Sequence, residues 1–260
     1  QLWFILFMMR STVILAFLPV LTSANSLQDA WISSIITLVG SEVFVILISL
    51  LNTRFPEATV IEYSEKLLGK IPGKILSIIF LWLFLQLSVV EIRIYGEVLV
   101  SAFLPNTPMI FIAGAMVFAA SICIYLGVEA LGRTADVLFI FYLAMLFVLI
   151  LIPLPDFDFN NLQPILVRGW SPVLKGAVVP VALIAQVWVL GMLNPVTVSP
   201  RKTVSTAVYS IGTSLIILTI VVIVTIGTLG PYEAARATFP LLSLIRSVEV
   251  SQFLQRAEVV

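Results

Sequence analysis

The chain has 260 residues, of which 60% are hydrophobic and 11% are charged, and its formal net charge is zero. Soluble domains carry about 25% charged residues, so this composition, with a mean hydropathy of +1.15, excludes an ordinary soluble protein. Nothing in the charge points to nucleic acid, and the absence of histidine removes the commonest transition-metal ligand. The apolar runs are far longer than the roughly 10-residue alternating strands of an outer-membrane barrel. We therefore predict an all-α polytopic membrane protein.

Seven apolar stretches are long enough to cross a bilayer, since about 20 helical residues cover roughly 30 Å of hydrocarbon. We predict a single transmembrane domain over residues 1–260 with spans at about 1–21, 30–51, 75–104, 109–126, 137–153, 173–193 and 203–229. The segment 231–255 is amphipathic rather than spanning. The chain begins without methionine and ends where an eighth span is expected to begin. We expect a fragment that lacks the remaining helices.

The first span carries a charge at its centre, where Arg10 is followed by Ser11 and Thr12. A guanidinium at the middle of a membrane helix costs at least ~2.5 kcal/mol on insertion scales, and such a charge usually faces a protein interior or a wet cavity. A polar break in mid-span also favours a discontinuous helix whose free backbone groups bind a ligand. The alternative is an arginine that only pairs with a carboxylate on a neighbouring helix.

The third span is unusually polar. Gln86, Val90, Arg93 and Glu97 fall within about 60° of one another on a helix, because each residue advances by 100°. Arg93 and Glu97 are i,i+4 neighbours and can form an ion pair. This face either lines a substrate route or grips another subunit, or it holds a structural ion pair within the bundle.

Glu91 points to a different side of the third span, roughly 140° around from Gln86. It has no oppositely charged neighbour on its own helix, and a buried charge without a partner costs several kcal/mol. Arg10 or an outside subunit is therefore the expected counter-charge of Glu91.

The sixth span is interrupted by Pro180 and lies five helices after the interrupted first span. Discontinuous helices in two halves mark inverted-repeat transporters, with the binding site at mid-membrane between them. A proline that only kinks the helix is the alternative.

The sequence contains no nucleophile–base pair, phosphate-binding loop or metal-ligand cluster. We therefore expect that the protein is not an enzyme, with no catalytic residue, metal or cofactor. The orientation follows from the lysine and arginine residues of the short loops, which are concentrated on alternate loops. This distribution predicts a cytoplasmic N-terminus. The loops on that side contain Arg54, Lys66, Lys70, Lys74, Arg133, Arg201 and Lys202.

Short motifs follow one another in a characteristic order and spacing. They are FLP at 17–19, QDAW at 28–31, RFP at 54–56, R-x-x-x-E at 93–97, LP-x-TP at 104–108, YLGVE at 125–129, LQP at 162–164, GW-x-P-x-LKGA at 169–177 and FPLLSLIRSVEV-x-x-FL-x-R at 239–256. With this set the chain resembles, over essentially its whole length, the spore germination permease family. These proteins are the B subunits of nutrient germinant receptors in endospore-forming bacteria.

The resemblance implies an inverted-repeat, amino-acid-transporter-like fold with broken first and sixth helices, truncated here in the second repeat. It implies a ligand site between these two helices, and A and C subunits as partners in the inner membrane of the spore. Family members often have glycines in the first-helix break, where this chain has Thr12 and Ile14, and Gly-Glu in the sixth helix, where it has Ala185 and Gln186. Glutamine cannot exchange a proton, but it can hydrogen-bond a ligand.

We expect a receptor subunit that binds a small nutrient, an amino acid above all, at mid-membrane. The predicted ligand-binding residues are Arg10, Ser11, Thr12, Gln86, Val90, Ile184, Ala185 and Gln186, and the predicted structural or coupling ion pairs involve Glu91, Arg93 and Glu97. Two alternatives stay open: a stand-alone secondary amino acid transporter of the plasma membrane, and a scaffold whose pocket is vestigial.

Overall fold

The computed structural model describes residues 1–193, 195, 200–237 and 239–244, without the side chains of residues 12–14, 16, 102, 200 and 201. Within these ranges the chain is all α-helical, as predicted. The helices are α1 (Leu2–Ser26), α2 (Ala30–Arg54), α3 (Val60–Leu68), α4 (Lys70–Ala102), α5 (Met109–Leu126), α6 (Val128–Leu151), α7 (Trp170–Ala182), α8 (Val189–Leu193), α9 (Pro200–Leu229) and α10 (Pro231–Arg236). Short 3₁₀ segments lie at Leu27–Asp29, Leu154–Asp156, Phe159–Leu162 and Leu183–Trp188.

Six helical stretches of the described chain are long and apolar enough to cross a membrane. The first of them runs from Phe17 in α1 to Arg54, and the last ends with α9. The N-terminal part of α1, Leu2–Ser11, is a shorter apolar helix. The chain is thus a multi-pass membrane protein, while the division into seven spans stays a prediction.

α1 is helical without interruption from Leu2 to Ser26, so the break predicted at residues 10–12 is wrong. The stretch contains no glycine, and its polar side chains find partners while the backbone remains helical. The hydroxyl of Ser11 donates to the carbonyl of Phe7 at 2.6 Å, which is the usual arrangement for a serine inside a helix. Arg10 reaches the backbone of α7.

The sixth predicted span is interrupted, as expected from Pro180. α7 ends at Ala182, a 3₁₀ segment follows over Leu183–Trp188, and α8 resumes at Val189. A proline lacks the N–H of the α-helical ladder and clashes with the preceding turn. A 3₁₀ stretch inside a helix often marks a functional hinge, so this segment is a natural place for a site.

Four helices, α1, α2, α7 and α9, form the centre of the molecule, which we call the central bundle. Their contacts are close because small residues face one another. A Cβ atom at Gly176 of α7 would lie 2.8 Å from the Thr22 carbonyl oxygen and 2.9 Å from the Ser33 hydroxyl. Ser33 donates to the carbonyl of Val173 at 2.9 Å. Membrane helices pack in this way because lipid supplies no hydrophobic drive to associate.

The helices α4, α5 and α6 lie at the periphery, and we call them the peripheral arm. They expose large apolar side chains, including Trp82, Phe111 and Phe141. Exposed apolar surface of this kind suits contact with lipid or with further membrane helices. The arm approaches the central bundle mainly where α6 contacts α1.

The short helix α3 connects the two regions. It begins with a capping box, in which Thr59 and Glu62 hydrogen-bond each other's backbone N–H groups, and it packs against the start of α4. The Tyr63 hydroxyl bonds the Asn52 side chain at 3.1 Å, and burial raises the pKa of Tyr63 to about 12. A Cβ atom at Gly191 of α8 would lie 3.3 Å from the same hydroxyl, so α3 fits closely against the end of the interrupted helix.

Candidate functional site

A cavity of about 250 Å³ lies where the 3₁₀ segment and α8 face α1 and α4. We call it the Gln186 cavity. One side is polar and the remainder is apolar, a composition typical of sites for small ligands. Its lining consists of Met9, Phe84, Leu87, Ser88, Glu91, Gln186, Val189 and Met192.

The polar side of the Gln186 cavity is a hydrogen-bonded pair. The side-chain amide of Gln186 donates from Nε2 to Oε1 of Glu91 at 2.8 Å. Gln186 is 3% exposed, and its Oε1 has no hydrogen-bond partner in the described part of the chain. A buried acceptor without a donor costs about 1–3 kcal/mol. The Gln186 amide is therefore an incompletely satisfied polar group beside the cavity, and Glu91 lines the cavity with a carboxylate.

The 3₁₀ segment and α4 place these two side chains opposite each other. Ser88 and Glu91 are three residues apart on α4 and so share one face of that helix. The Ser88 hydroxyl donates to the carbonyl of Phe84 at 2.9 Å, which leaves its oxygen lone pairs on the cavity side. The polar side of the cavity is thus rich in acceptors.

Arg10 is fully buried but does not line the Gln186 cavity. Its Nη2 donates to the carbonyl of Pro180 at 3.1 Å and contacts the Ser41 hydroxyl at 3.5 Å. The hypothesis that Arg10 pairs with Glu91 is therefore wrong, because the described ion pairs do not include these two residues. The amide of Gln186 takes the place of the expected cation.

The other predicted ligand-binding residues are dispersed. Ser11 is buried and bonded within α1, and the side chain of Thr12 lies outside the described part. Ile184 and Ala185 line a separate apolar groove against α2, and Gln86 and Val90 lie exposed on another face of α4. Among the described side chains of the predicted ligand-binding set, only Gln186 lines the cavity, together with Glu91.

The predicted pairing of Arg93 with Glu97 is confirmed. Arg93 Nε and Glu97 Oε1 are 2.5 Å apart, and the two side chains are 69% and 45% exposed. The pair lies on the peripheral arm, away from the Gln186 cavity. Surface pairs of this spacing contribute about 0.3–0.5 kcal/mol in water, so it is a weak local contact wherever it is solvated.

Sequence reasoning missed Met9, Ser88 and Met192 as cavity residues. Met9 immediately precedes Arg10, and Ser88 is three residues before Glu91. Their positions next to a charged residue, or on its helix face, could have indicated both. Met192 has no such signal, because a methionine in an apolar run is ordinary. Glu42 of α2 was also not selected, although both of its carboxylate oxygens are buried without a partner in the described part of the chain.

The spanning helices and the partly polar cavity between them define a multi-pass α-helical membrane protein with a pocket of small-molecule size. The family model described as spore germination protein matches residues 1–260, and the chain belongs to this family. Membership of this family agrees with the prediction that the chain is not an enzyme.

Curated relatives carry the same description. Spore germination protein YndE of Bacillus subtilis (strain 168) is 28% identical over 229 residues, which cover 88% of this chain and 63% of the relative. Spore germination protein KB of the same organism is 27% identical over 240 residues, 89% of this chain and 63% of the relative. The chain therefore spans somewhat less than two thirds of the length of these relatives. No solved structure is a significant match.

Proposed function

We propose that the chain is the membrane-embedded part of a germinant receptor subunit, which binds a small nutrient in the Gln186 cavity and so triggers germination. Membership of the spore germination protein family supports the biological role. The hydrogen-bonded pair of Glu91 and Gln186 at a partly open cavity is the observation that carries the ligand-binding role.

The chemistry of the cavity favours a nutrient with an ammonium group. Glu91 lines the cavity with a carboxylate that an ammonium group can approach, and it is hydrogen-bonded to Gln186, whose Oε1 is buried without a partner among the described residues. Hydrogen bonds to charged groups are worth about 1.5–3 kcal/mol. Met9, Phe84 and Met192 supply an apolar wall for the rest of the molecule. The ammonium group and a small apolar side chain of an amino acid fit these two parts of the wall, and the second N–H of the Gln186 amide is the donor among the lining side chains for its carboxylate.

Size supports the same ligand class. Cavities for drug-sized ligands measure about 300–1,000 Å³, and the Gln186 cavity has about 250 Å³. A single amino acid fits in this space without rearrangement. Sugars and nucleosides demand more polar partners than this wall offers.

Binding triggers a response only if the ligand has different affinities for two conformations of the protein. In this proposal the 3₁₀ segment over Leu183–Trp188, which carries Gln186, is the element that differs in winding between the two conformations. A and C subunits of the receptor read its state in the inner membrane of the spore. In this proposal the N-terminus is cytoplasmic, as the distribution of lysine and arginine favours.

The proposal is tested in spores that lack the gene and are complemented with the full-length protein. We expect Glu91→Gln and Gln186→Leu to raise the amino acid concentration for half-maximal germination by more than about tenfold, because each removes a hydrogen bond to a charged group. Glu129→Gln is the matched control, since Glu129 pairs with Arg133 on the exposed side of α6. Protein levels are compared by immunoblot.

The same strains separate the alternatives. Uptake of the active amino acid is measured in membrane vesicles. A shifted germination response without uptake supports the receptor. Normal germination of both cavity variants contradicts the proposed site and favours a scaffold, whereas normal germination together with cavity-dependent uptake favours a transporter.

A further inference from the structure

Arg10 binds the protein backbone at the point where α7 stops being an α-helix. The N–H of Leu183 still reaches four residues back, to Val179, while the 3₁₀ winding that follows bonds three residues back. Such a change of period leaves a carbonyl at the junction without a backbone donor. The Pro180 carbonyl lies at this junction and accepts from Arg10 Nη2 at 3.1 Å. Arg10 thus caps the interruption of the sixth span.

The guanidinium of Arg10 is incompletely satisfied in this position. It is fully buried, yet Nε and Nη1 have no hydrogen-bond partner among the described residues. Its second contact, to the Ser41 hydroxyl, is long at 3.5 Å. Guanidinium has five N–H donors and no acceptor, so most of its capacity is unused. A buried cation in this condition is costly.

The next residue along α2 is a carboxylate that also lacks hydrogen-bond partners among the described residues. Glu42 directly follows Ser41, and both of its oxygens are buried without a partner in the described part of the chain. Its Oε1 lies 2.9 Å from the position that a Cβ atom at Gly212 of α9 would take, so the carboxylate packs directly against the α9 backbone. Arg10 and Glu42 are therefore opposite, unpaired charges inside the same central bundle.

Opposite charges attract each other more strongly in a low-dielectric interior than in water. We propose that Arg10 is a positioning residue with two partners, the Pro180 carbonyl in the present conformation and Glu42 in a second one, and that the exchange rewinds the 3₁₀ segment. Because Gln186 lies in that segment, the exchange changes the geometry of the Gln186 cavity. Its use as the trigger of germination rests on the proposed function, whereas the exchange itself does not.

The exchange can be measured without any ligand. Nitroxide labels are placed at Ala185→Cys in the 3₁₀ segment and Tyr209→Cys on the exposed side of α9, in full-length protein whose native cysteines, including Cys123, are replaced. Double electron–electron resonance in lipid nanodiscs then reports the distance between the two labels. We expect two populations in the otherwise unchanged protein.

The two substitutions act on the populations in different ways. Glu42→Gln removes the second partner, so the population with Arg10 on Pro180 increases; we expect the population ratio to change at least about fivefold, the lower end of typical coupling between sites. Arg10→Gln removes both contacts, so the ratio returns to the preference of the 3₁₀ segment itself and no longer responds to Glu42→Gln. The double variant should match Arg10→Gln, because Glu42 acts only through Arg10. Arg10→Lys retains the charge and should stay closest to the unchanged protein.

Arg93→Gln is the matched control, because it removes the same charge from the peripheral arm, where Arg93 pairs with Glu97. It should leave the distance distribution unchanged. Two results would overturn the proposal. One is a single population whose distance distribution does not change in Glu42→Gln, and the other is additive effects of the two substitutions in the double variant. Addition of the active amino acid gives a separate result: if the populations respond to the substitutions but not to the nutrient, the exchange stands and the proposed function fails.

Discussion

The central bundle and the peripheral arm place their polar residues in opposite ways. In α9, 56% of the most apolar 18-residue stretch is buried, whereas in α5 the buried share is 6%. The bundle encloses Arg10, Ser33 and Gln186, while the arm exposes the Arg93–Glu97 pair on its surface.

The difference shows which region encloses its charged side chains and which leaves a polar face for a neighbouring protein. A charged side chain that faces hydrocarbon is costly, so intramembrane charges almost always face protein or a wet cavity. The polar face of α4 with Gln86, Arg93 and Glu97 is therefore expected to be covered in the assembled protein. The charged side chains of the central bundle, in contrast, are enclosed by helices of this chain, so their contacts can be interpreted from it.

A pair of glycine substitutions tests the contrast most strongly. Gly176→Val places a side chain where a Cβ atom already approaches the Thr22 carbonyl to 2.8 Å, whereas Gly114 of α5 has no atom within 4 Å of its Cβ position. Overpacking of a filled interface costs about 1–3 kcal/mol. We expect a clearly lower midpoint of thermal unfolding for Gly176→Val of the full-length protein, and little change for Gly114→Val.

Equal effects of the two glycine substitutions would contradict the distinction between bundle and arm. A large loss from Gly114→Val alone would show that α5 is tightly packed in the full-length protein. Retained stability in Gly176→Val would show that α7 is free to move away from α1.

A smaller effect is expected at α3, which joins the two regions. Thr59→Ala removes half of the capping box, and loss of such a cap costs about 1 kcal/mol. Hydrogen exchange of the α3 amides should become faster, while exchange in α9 should not change. Thr53→Ala is the control, because that hydroxyl bonds only to the Leu50 carbonyl of its own helix. Equal exchange in both variants would argue against the cap.

The capping box also predicts a dependence on pH. The backbone and side-chain hydrogen bonds with Thr59 hold the pKa of Glu62 below its usual value of 4.5. A depressed carboxyl pKa stabilises the folded helix above the unfolded pKa, and this contribution is lost as the pH falls through the folded pKa. Protection factors of the α3 amides, which correct for the intrinsic pH dependence of exchange, should therefore fall below about pH 4.5 in the unchanged protein, and they should fall less in Glu62→Gln.

Sequence reasoning reached the features that depend on composition or on neighbours along the chain. Hydropathy indicated the helices, Pro180 indicated the interruption of the sixth span, and i,i+4 spacing indicated the pairing of Arg93 with Glu97. These inferences need only one segment at a time. They define the class of fold and the element that carries Gln186.

Features that depend on facing helices were beyond sequence reasoning. Membrane helices are apolar on all sides, so their pattern does not show which face meets which neighbour. The partner of Glu91 was expected to be Arg10, but Gln186 fills that place and Arg10 turns to the Pro180 carbonyl. The first helix was expected to break at Arg10 and does not, because that arginine finds its partner in another helix.

The most direct test of the ligand site is equilibrium binding of a radiolabelled amino acid to the purified full-length protein in nanodiscs. The amino acid is one that triggers germination, and binding is compared between the unchanged protein, Glu91→Gln and Glu129→Gln. We expect saturable binding whose Kd rises more than about tenfold in Glu91→Gln and is unchanged in Glu129→Gln. Saturable binding with the same Kd in all three proteins would contradict a nutrient site at Glu91 and Gln186.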